Sequence, residues 1–572
     1  MLDRAKQRFT PRDRAVKGAA ISALWGRPID DRALLLRFHD ALCFLRAYPD
    51  DPGLLHLVER ALETTTRSVA ALIAAGGVDA DDLEETGLAG TVVSCPLSHP
   101  AARWLADRFP DAAEIDWDDP ETETALGTLL PGLVALAEEE ALVEAGVPYR
   151  SWLTAAKGRA EGSDLSWLLE RLDRQSDRVG RRALYDQLQP RIRWELGESL
   201  ASRTRAGVPV PRVFFHRGAL VRWRGALARR LPGSRLRVTI AAPGQARALL
   251  DAARAAVIVR HREVHAFNFA DPGAVTVGDA GRGVQIVWFG VRPAHRLPIR
   301  AHYGYLILKN GIPVGYGDAS LLCEWVEIAY NIFEAFRRGE SAFIFIRLMG
   351  FLHQHLGARA VHLSRYQIGH GNDEALESGA FWFYYKLGFR PKRTDLHHLA
   401  LDERRRIAAR ATYRSPRATL ERLCQDGMFV AVGRRAGGAS RDFDVHRLGL
   451  RGAAHAGRQR RVTVTAALAR DLGAARWRAW PRSEQVAFAR LAPVLALIPD
   501  LPRWRPRERR ALVEVIRAKG GPREADYLRR LQAHPRLRAS LLRLGTSEGG
   551  SAPLPHLPPE RLRGLSPRGR GD

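Results

Sequence analysis

The chain has 572 residues, more than a single hydrophobic core supports, so about three structural units are expected. A content of 46% hydrophobic and 27% charged residues excludes a wholly disordered or fibrous chain. Cys43, Cys95, Cys323 and Cys424 are too few and too widely spaced for a disulfide framework or a zinc ribbon, and the charged start, residues 1–17, lacks the apolar stretch of a signal peptide. No uninterrupted apolar run reaches transmembrane length, so the expectation is a soluble, cytoplasmic protein without a membrane partner.

Charge is uneven along the sequence. The formal balance is +26, carried by 82 arginines and only 7 lysines, a skew that a GC-rich coding sequence also produces. Residues 51–150 hold 5 basic and 20 acidic side chains, whereas residues 441–572 hold 28 basic and 12 acidic ones. Such polarity predicts attraction between the two sections, within one molecule or head to tail between two; polyanion binding by the basic section is the alternative. The oligomeric state is not set by the sequence.

Residues 1–200 read as a mainly helical N-terminal domain. Leu34, Leu35, Phe38, Leu42 and Leu45 recur at helical spacing, Pro49 to Gly53 breaks the pattern, and Leu54, Leu55, Val58 and Leu62 resume it. Another helix is expected at 125–145. Acidic residues around Trp117 lack the spacing and the glycine of a calcium loop, so they read as a solvated acidic loop.

From about residue 234 the pattern becomes mixed α/β. Strands are expected at 283–290 and 303–309, and Asn310-Gly311 predicts a type I′ turn into a returning strand at 312–317. A further strand at 325–333 is followed by Phe336-Arg337-Arg338-Gly339-Glu340-Ser341-Ala342, which leads into an apolar helix stopped by Gly357. Residues 360–368 read as a strand returning by a βαβ crossover, and a helix from Asn372 runs to Leu387-Gly388-Phe389. Beyond about residue 432 the sequence is arginine-rich and helical, and 546–572 reads as a disordered tail.

Residues 327–389 carry the chemistry. An arginine-glycine turn feeding a helix N-terminus makes an anion site from unpaired amides and the helix dipole, with Arg337 and Arg338 adding charge and Gly339 close backbone approach. The next helix contains Ala380-Phe381-Trp382-Phe383-Tyr384-Tyr385-Lys386-Leu387-Gly388-Phe389. This segment resembles the cofactor-binding half of the GNAT superfamily of acyl-CoA-dependent N-acyltransferases. There the helix after the fifth strand carries an alanine, a tyrosine four residues on, then Lys-Leu-Gly-Phe, and Ala380, Tyr384 and Lys386 to Phe389 fall in that register. Glu340 in the turn and Glu377 in place of the usual asparagine depart from the family pattern.

The resemblance covers about 130 residues, 283–413, and says nothing about the flanks. It implies acetyl-CoA or another acyl-CoA as co-substrate, its pantetheine arm between strands 325–333 and 360–368. Arg337, Arg338, Gly339, Ser341, Ala342 and Asn372 would hold the cofactor. Tyr384 would protonate the departing thiolate, with a purely structural place in an aromatic core as the alternative. Glu327 is the candidate base, alternatively an outward carboxylate, and His370, in Gly369-His370-Gly371, is a second candidate. No metal-ligand set is expected: His353 and His355 lie on different helix faces.

Arg476-Trp477-Arg478-Ala479-Trp480 and Arg503-Trp504-Arg505 mix cations with aromatics, which suits nucleic acid bound through residues after Arg441 or a small helical core rimmed with arginine. The expected fold class is α+β and multidomain. A helical domain (1–200) precedes a GNAT-like α/β domain with a mostly antiparallel sheet (234–435), a basic helical domain (441–545) and the tail. The expected function is acyl transfer to an amine on a small molecule or a protein; the alternative is a non-catalytic scaffold or nucleic-acid-binding protein.

Overall fold

The computed structural model describes the chain except residues 26, 28, 30, 77, 135–139, 141–145, 176, 224, 230, 232–235, 433–442, 458–460 and 547–572, and the side chains of residues 178 and 461. The expected tail, most of the second half of the 125–145 helix, and the boundaries at 234 and 435–441 therefore lie outside the described residues. The chain divides into two compact units. One comprises Met1–Leu220, Ala248–Asn268 and Lys309–Pro313; the other comprises Val221–Arg247, Phe269–Leu308 and Val314–Asp572.

The first unit is rich in helices. Pro11–Leu24, Arg32–Ala47 and Pro52–Glu63 start where Thr10, Asp31 and Asp51 accept backbone amides, and the break at Pro49 to Gly53 separates the last two as the sequence predicts. Phe44, Leu45, Val58 and Leu62 are buried between them. Lys17 is also fully buried, its ammonium 2.8 Å from Asp50 and 2.6 Å from the Arg8 carbonyl oxygen. Burial pulls Lys17 below the usual lysine range and pushes Asp50 above the usual carboxylate range.

Three short strands add to what periodicity suggests: β1 (Val92–Pro96) and β2 (Ala113–Ile115) flank β3 (Arg191–Glu195), all antiparallel. The acidic loop is less solvated than expected. Asp116 is buried and accepts the Ser94 hydroxyl, and Asp119 caps the helix Pro120–Leu129.

The second unit is built on a nine-stranded sheet in the order β11-β12-β10-β9-β8-β7-β6-β5-β4. Its strands are β4 (Arg237–Ile240), β5 (Ala270–Gly281), β6 (Val284–Val291), β7 (Ala301–Lys309), β8 (Ile312–Leu322), β9 (Trp325–Ile332), β10 (Ala360–Leu363), β11 (Arg390–Pro391) and β12 (Met428–Ala431). Asn310 and Gly311, at φ 50° and 79°, make the expected tight turn between β7 and β8, and their residues Lys309–Pro313 group with the first unit. The sheet is mostly antiparallel; β9 and β10 run parallel, joined by the helix Ser341–Leu356.

That helix is apolar on almost every side, as its sequence requires of a buried element, and Gly357 ends it at φ 69°. Phe351 stacks on Trp288 of β6 at 4.4 Å, and Phe345 meets Tyr330 of β9 edge-on at 5.0 Å. We call this side of the sheet the helix face. The strand expected over 360–368 is shorter: β10 ends at Leu363, because the Ser364 hydroxyl accepts the Gln367 amide and starts a helical turn, Arg365–Ile368.

The basic C-terminal helices, from Val445–Gly457 to Pro535–Gly545, belong to the same unit as the sheet. Polar contacts tie them to it. Arg296 donates to the carbonyls of Lys519, Gly521 and Pro522, Gln532 donates to those of Cys323 and Leu356, and Arg538 pairs with Glu324. Among the described residues no helix is long and apolar enough to cross a membrane.

Candidate active site

The parallel pair β9 and β10 is short. Ala360, Val361 and His362 stand opposite Trp325, Val326 and Glu327, and no register continues beyond them. Farther along β9, the Tyr330 backbone faces a side chain instead of a strand. Its N–H donates to Gln367 Oε1 at 3.3 Å and its carbonyl accepts from Gln367 Nε2 at 2.9 Å. Nε2 also donates to the Tyr384 hydroxyl at 3.0 Å. The crevice expected beside Tyr384 thus holds a carboxamide, which pairs with β9 as a peptide group of a neighbouring strand would.

Tyr384 itself is 2% exposed, with Phe345 at 5.6 Å and Phe389 at 5.7 Å. Burial pushes its phenol well above the ordinary range, so it holds its proton at neutral pH; the Gln367 bond opposes that shift only in part.

The arginine-glycine turn is tightly tied. Arg337 pairs with Glu374 and donates to the Ile332 carbonyl at 3.4 Å. Glu340, the departure from the family pattern, turns inward and is 1% exposed. Its carboxylate accepts the Val221 amide at 2.9 Å and the Arg282 guanidinium at 2.9 and 2.7 Å. The Ser341 hydroxyl donates to the Arg337 carbonyl at 3.1 Å, Gly339 is buried, Ala342 is half-buried, and Arg338 is exposed. Ser341, Ala342 and Phe343, in the first turn of the helix, donate their amides to no described residue. Asn372 caps its own helix: Oδ1 accepts the Ala375 amide at 3.1 Å and Nδ2 donates to the Tyr366 carbonyl at 3.2 Å. His370 is half-buried between Gly369 at φ 133° and Gly371 at φ 63°, its amide on the Arg365 carbonyl.

Glu327 lies on the other side of the sheet. Side chains alternate along a strand, so Glu327 projects opposite to Tyr330, away from the helix 341–356. There it helps line a cavity of about 750 Å³ together with Ser320, Trp325, His362, Arg365 and Lys392. Its carboxylate is 2.8 Å from Arg300. Burial and the Lys392 charge push His362 down to about 3, leaving its imidazole neutral.

Asp318, which sequence reading passed over, is on the same face. Ser320 stands opposite Glu327 in the β8–β9 register, which makes Asp318 the diagonal neighbour of Glu327 at about 7–8 Å. It is half-buried and its carboxyl bonds to no described residue; burial pushes that carboxyl up to about 6, Glu327 adds to the shift and Arg300 opposes it. An isolated acid in the apolar run of β8 was the available signal. Tyr384 and Gln367 therefore meet the strand gap from the helix face, whereas Glu327 and Asp318 stand on the cavity face.

In the C-terminal helices the aromatic residues are used for packing. Trp504 is 2% exposed against His534, and Trp477 and Trp480 pack on Phe488. Among the described residues no three His, Cys, Asp or Glu side chains are placed to hold a metal ion. No family model, curated protein or solved structure matches the chain.

Proposed function

We propose that the chain is an N-acyltransferase that moves an acetyl or other acyl group from acyl-CoA to an amine. The observation that carries this reading is the parallel pair β9 and β10, which pairs for three residues and then leaves Tyr330 bonded to an amide side chain. A pantetheine arm carries the same amide groups, so it would exchange with the Gln367 carboxamide without stranding the polar atoms of β9. The resemblance at Ala380, Tyr384 and Lys386 to Phe389 supports the same reading, and the first-turn amides of the helix 341–356 suit a pyrophosphate.

In the proposed reaction the neutral amine attacks the thioester carbonyl. The C–N bond forms, the C–S bond breaks, Tyr384 protonates the departing thiolate, and Asp318 or Glu327 takes the proton that the amine loses. A carboxylate with a pKa of about 6 is well matched to that second role. The rival reading, a non-catalytic module, draws on the filled gap and on the commitment of Arg337 to Glu374. Calorimetric titration of the full chain with acetyl-CoA separates the two. Micromolar association is expected; absence of binding at high micromolar concentration removes the transferase reading.

A further inference from the structure

We propose that the cavity on the β8–β10 face binds a small amine that also carries an acidic group, a carboxylate or a phosphate. The inference rests on the acyl-transfer reading for the role of the amine and on the cavity alone for the acidic group. Five cationic side chains line the cavity: Arg300, Arg365, Lys392, Arg393 and Arg447. Three carboxylates accompany them: Glu327, Asp426 and Asp444.

Pairing decides what this excess means. Arg300 is held by Glu327, and Arg393 by Asp395. Arg365 and Arg447, both half-buried, have no side-chain partner among the described residues. Two guanidiniums on one cavity wall with no bonded side-chain partner among the described residues are placed to receive an anion, and guanidinium matches carboxylate and phosphate oxygens in a bidentate manner. Asp426 and Asp444 stand nearby, accepting the Gly427 and His446 amides, and still leave the lining with more cations than carboxylates.

The placement of the two kinds of charge along the strands supplies the amine half. Arg365 lies two residues past β10, and Lys392 follows β11, its amide on the Gly427 carbonyl at the start of β12, so these cations gather where β10 ends. Glu327 lies within the paired part of β9, opposite His362, with Asp318 diagonal to it on β8. An ammonium directed at Glu327, the one of these two acids that lines the cavity, leaves an acidic tail to reach Arg365 and Arg447. Neutral His362 between the two groups adds no competing charge.

The test is calorimetry on the full chain, without acyl-CoA, using O-phosphoethanolamine and γ-aminobutyrate against ethanolamine and n-butylamine. The acid-bearing amines should bind at least about tenfold more tightly than their acid-free partners, and the double variant Arg365→Gln, Arg447→Gln should abolish the difference without changing acetyl-CoA affinity. The stronger of the two acid-bearing probes identifies phosphate or carboxylate as the preferred tail. Equal affinity for ethanolamine and O-phosphoethanolamine, a preference that survives in the double variant, or no heat from any probe at about 10 mM overturns the proposal. Selectivity for acid-bearing amines in a chain that ignores acetyl-CoA would support the cavity assignment and overturn acyl transfer alone.

Discussion

The two faces of the nine-stranded sheet divide the work of the second unit. On the helix face, Trp288 stacks on Phe351, and Tyr330, Phe345, Tyr384 and Phe389 form an aromatic cluster in which the Tyr330 hydroxyl donates to the Ser341 carbonyl and the Tyr384 hydroxyl accepts from Gln367. Each such ring pair contributes about 0.5–1.5 kcal/mol beyond the area it buries. On the cavity face, the side chains of Asp318, Arg365 and Arg447 have no bonded partner among the described residues, and Glu327 is held by its ion pair with Arg300. The contrast teaches that stability is concentrated on one side of the strands and unsatisfied polar chemistry on the other, as expected where a fold has to hold its shape and also bind something.

Breaking that division should be most costly where the helix 341–356 begins. Arg282→Ala removes the cationic partner of fully buried Glu340 and should destabilise the chain by about 3–4 kcal/mol in denaturant titration, part of which Glu340→Gln restores in the same background. A loss below about 1 kcal/mol would mean that the Val221 amide suffices. Tyr384→Phe keeps the aromatic packing and deletes one hydroxyl. Turnover should fall about 100-fold with acetyl-CoA affinity almost intact, and an unchanged turnover excludes Tyr384 as proton donor.

On the cavity face the effects are smaller and depend on pH. The folded chain holds the Asp318 proton more tightly than the unfolded chain, whose ordinary value is 3.8, so stability should decline as pH rises from about 4 to about 6. Asp318→Asn should flatten that decline and gain about 2 kcal/mol at neutral pH, while removing the acid limb near pH 6 from the rate profile. If the limb persists in Asp318→Asn and disappears in Glu327→Gln, the base is Glu327. The smallest change is Gln367→Ala. Freeing the β9 edge should tighten acetyl-CoA binding about fivefold, and weaker binding would show that the carboxamide helps hold the carrier instead of standing in its place.

Much of this architecture is legible in the sequence because it depends on local chemistry. Asn310-Gly311 specifies a turn with two positive φ angles, and Gly357 specifies where the helix stops; both appear as read. The strand expected through 368 fails for a local reason too: Ser364 and Gln367 form the spacing of a helix start, a signal outweighed by the apolar run before it. Gln367, Asp318 and Arg300 were not legible as a site. Their significance comes from strand register and from the gap between β9 and β10, which are set by partners dozens of residues away. Asn372 was legible as the start of a helix, which its side chain caps. In the first unit, β1 and β3 were missed because strands of only five residues yield weak alternation among helices.

The β7–β8 hairpin has a practical outcome for anyone dissecting this molecule. Its tip, Lys309–Pro313, and the stretch Ala248–Asn268 group with residues 1–220, so the polypeptide passes from one unit to the other five times. No single scission yields two intact halves. A chain shortened at residue 220 would forfeit the Asn310 amide, which grips the carbonyls of Ala47 and Phe214, and should be recovered as insoluble material. Separate expression of either portion would have to graft all three of its segments with new linkers, a requirement more typical of an inserted domain than of modules strung in series.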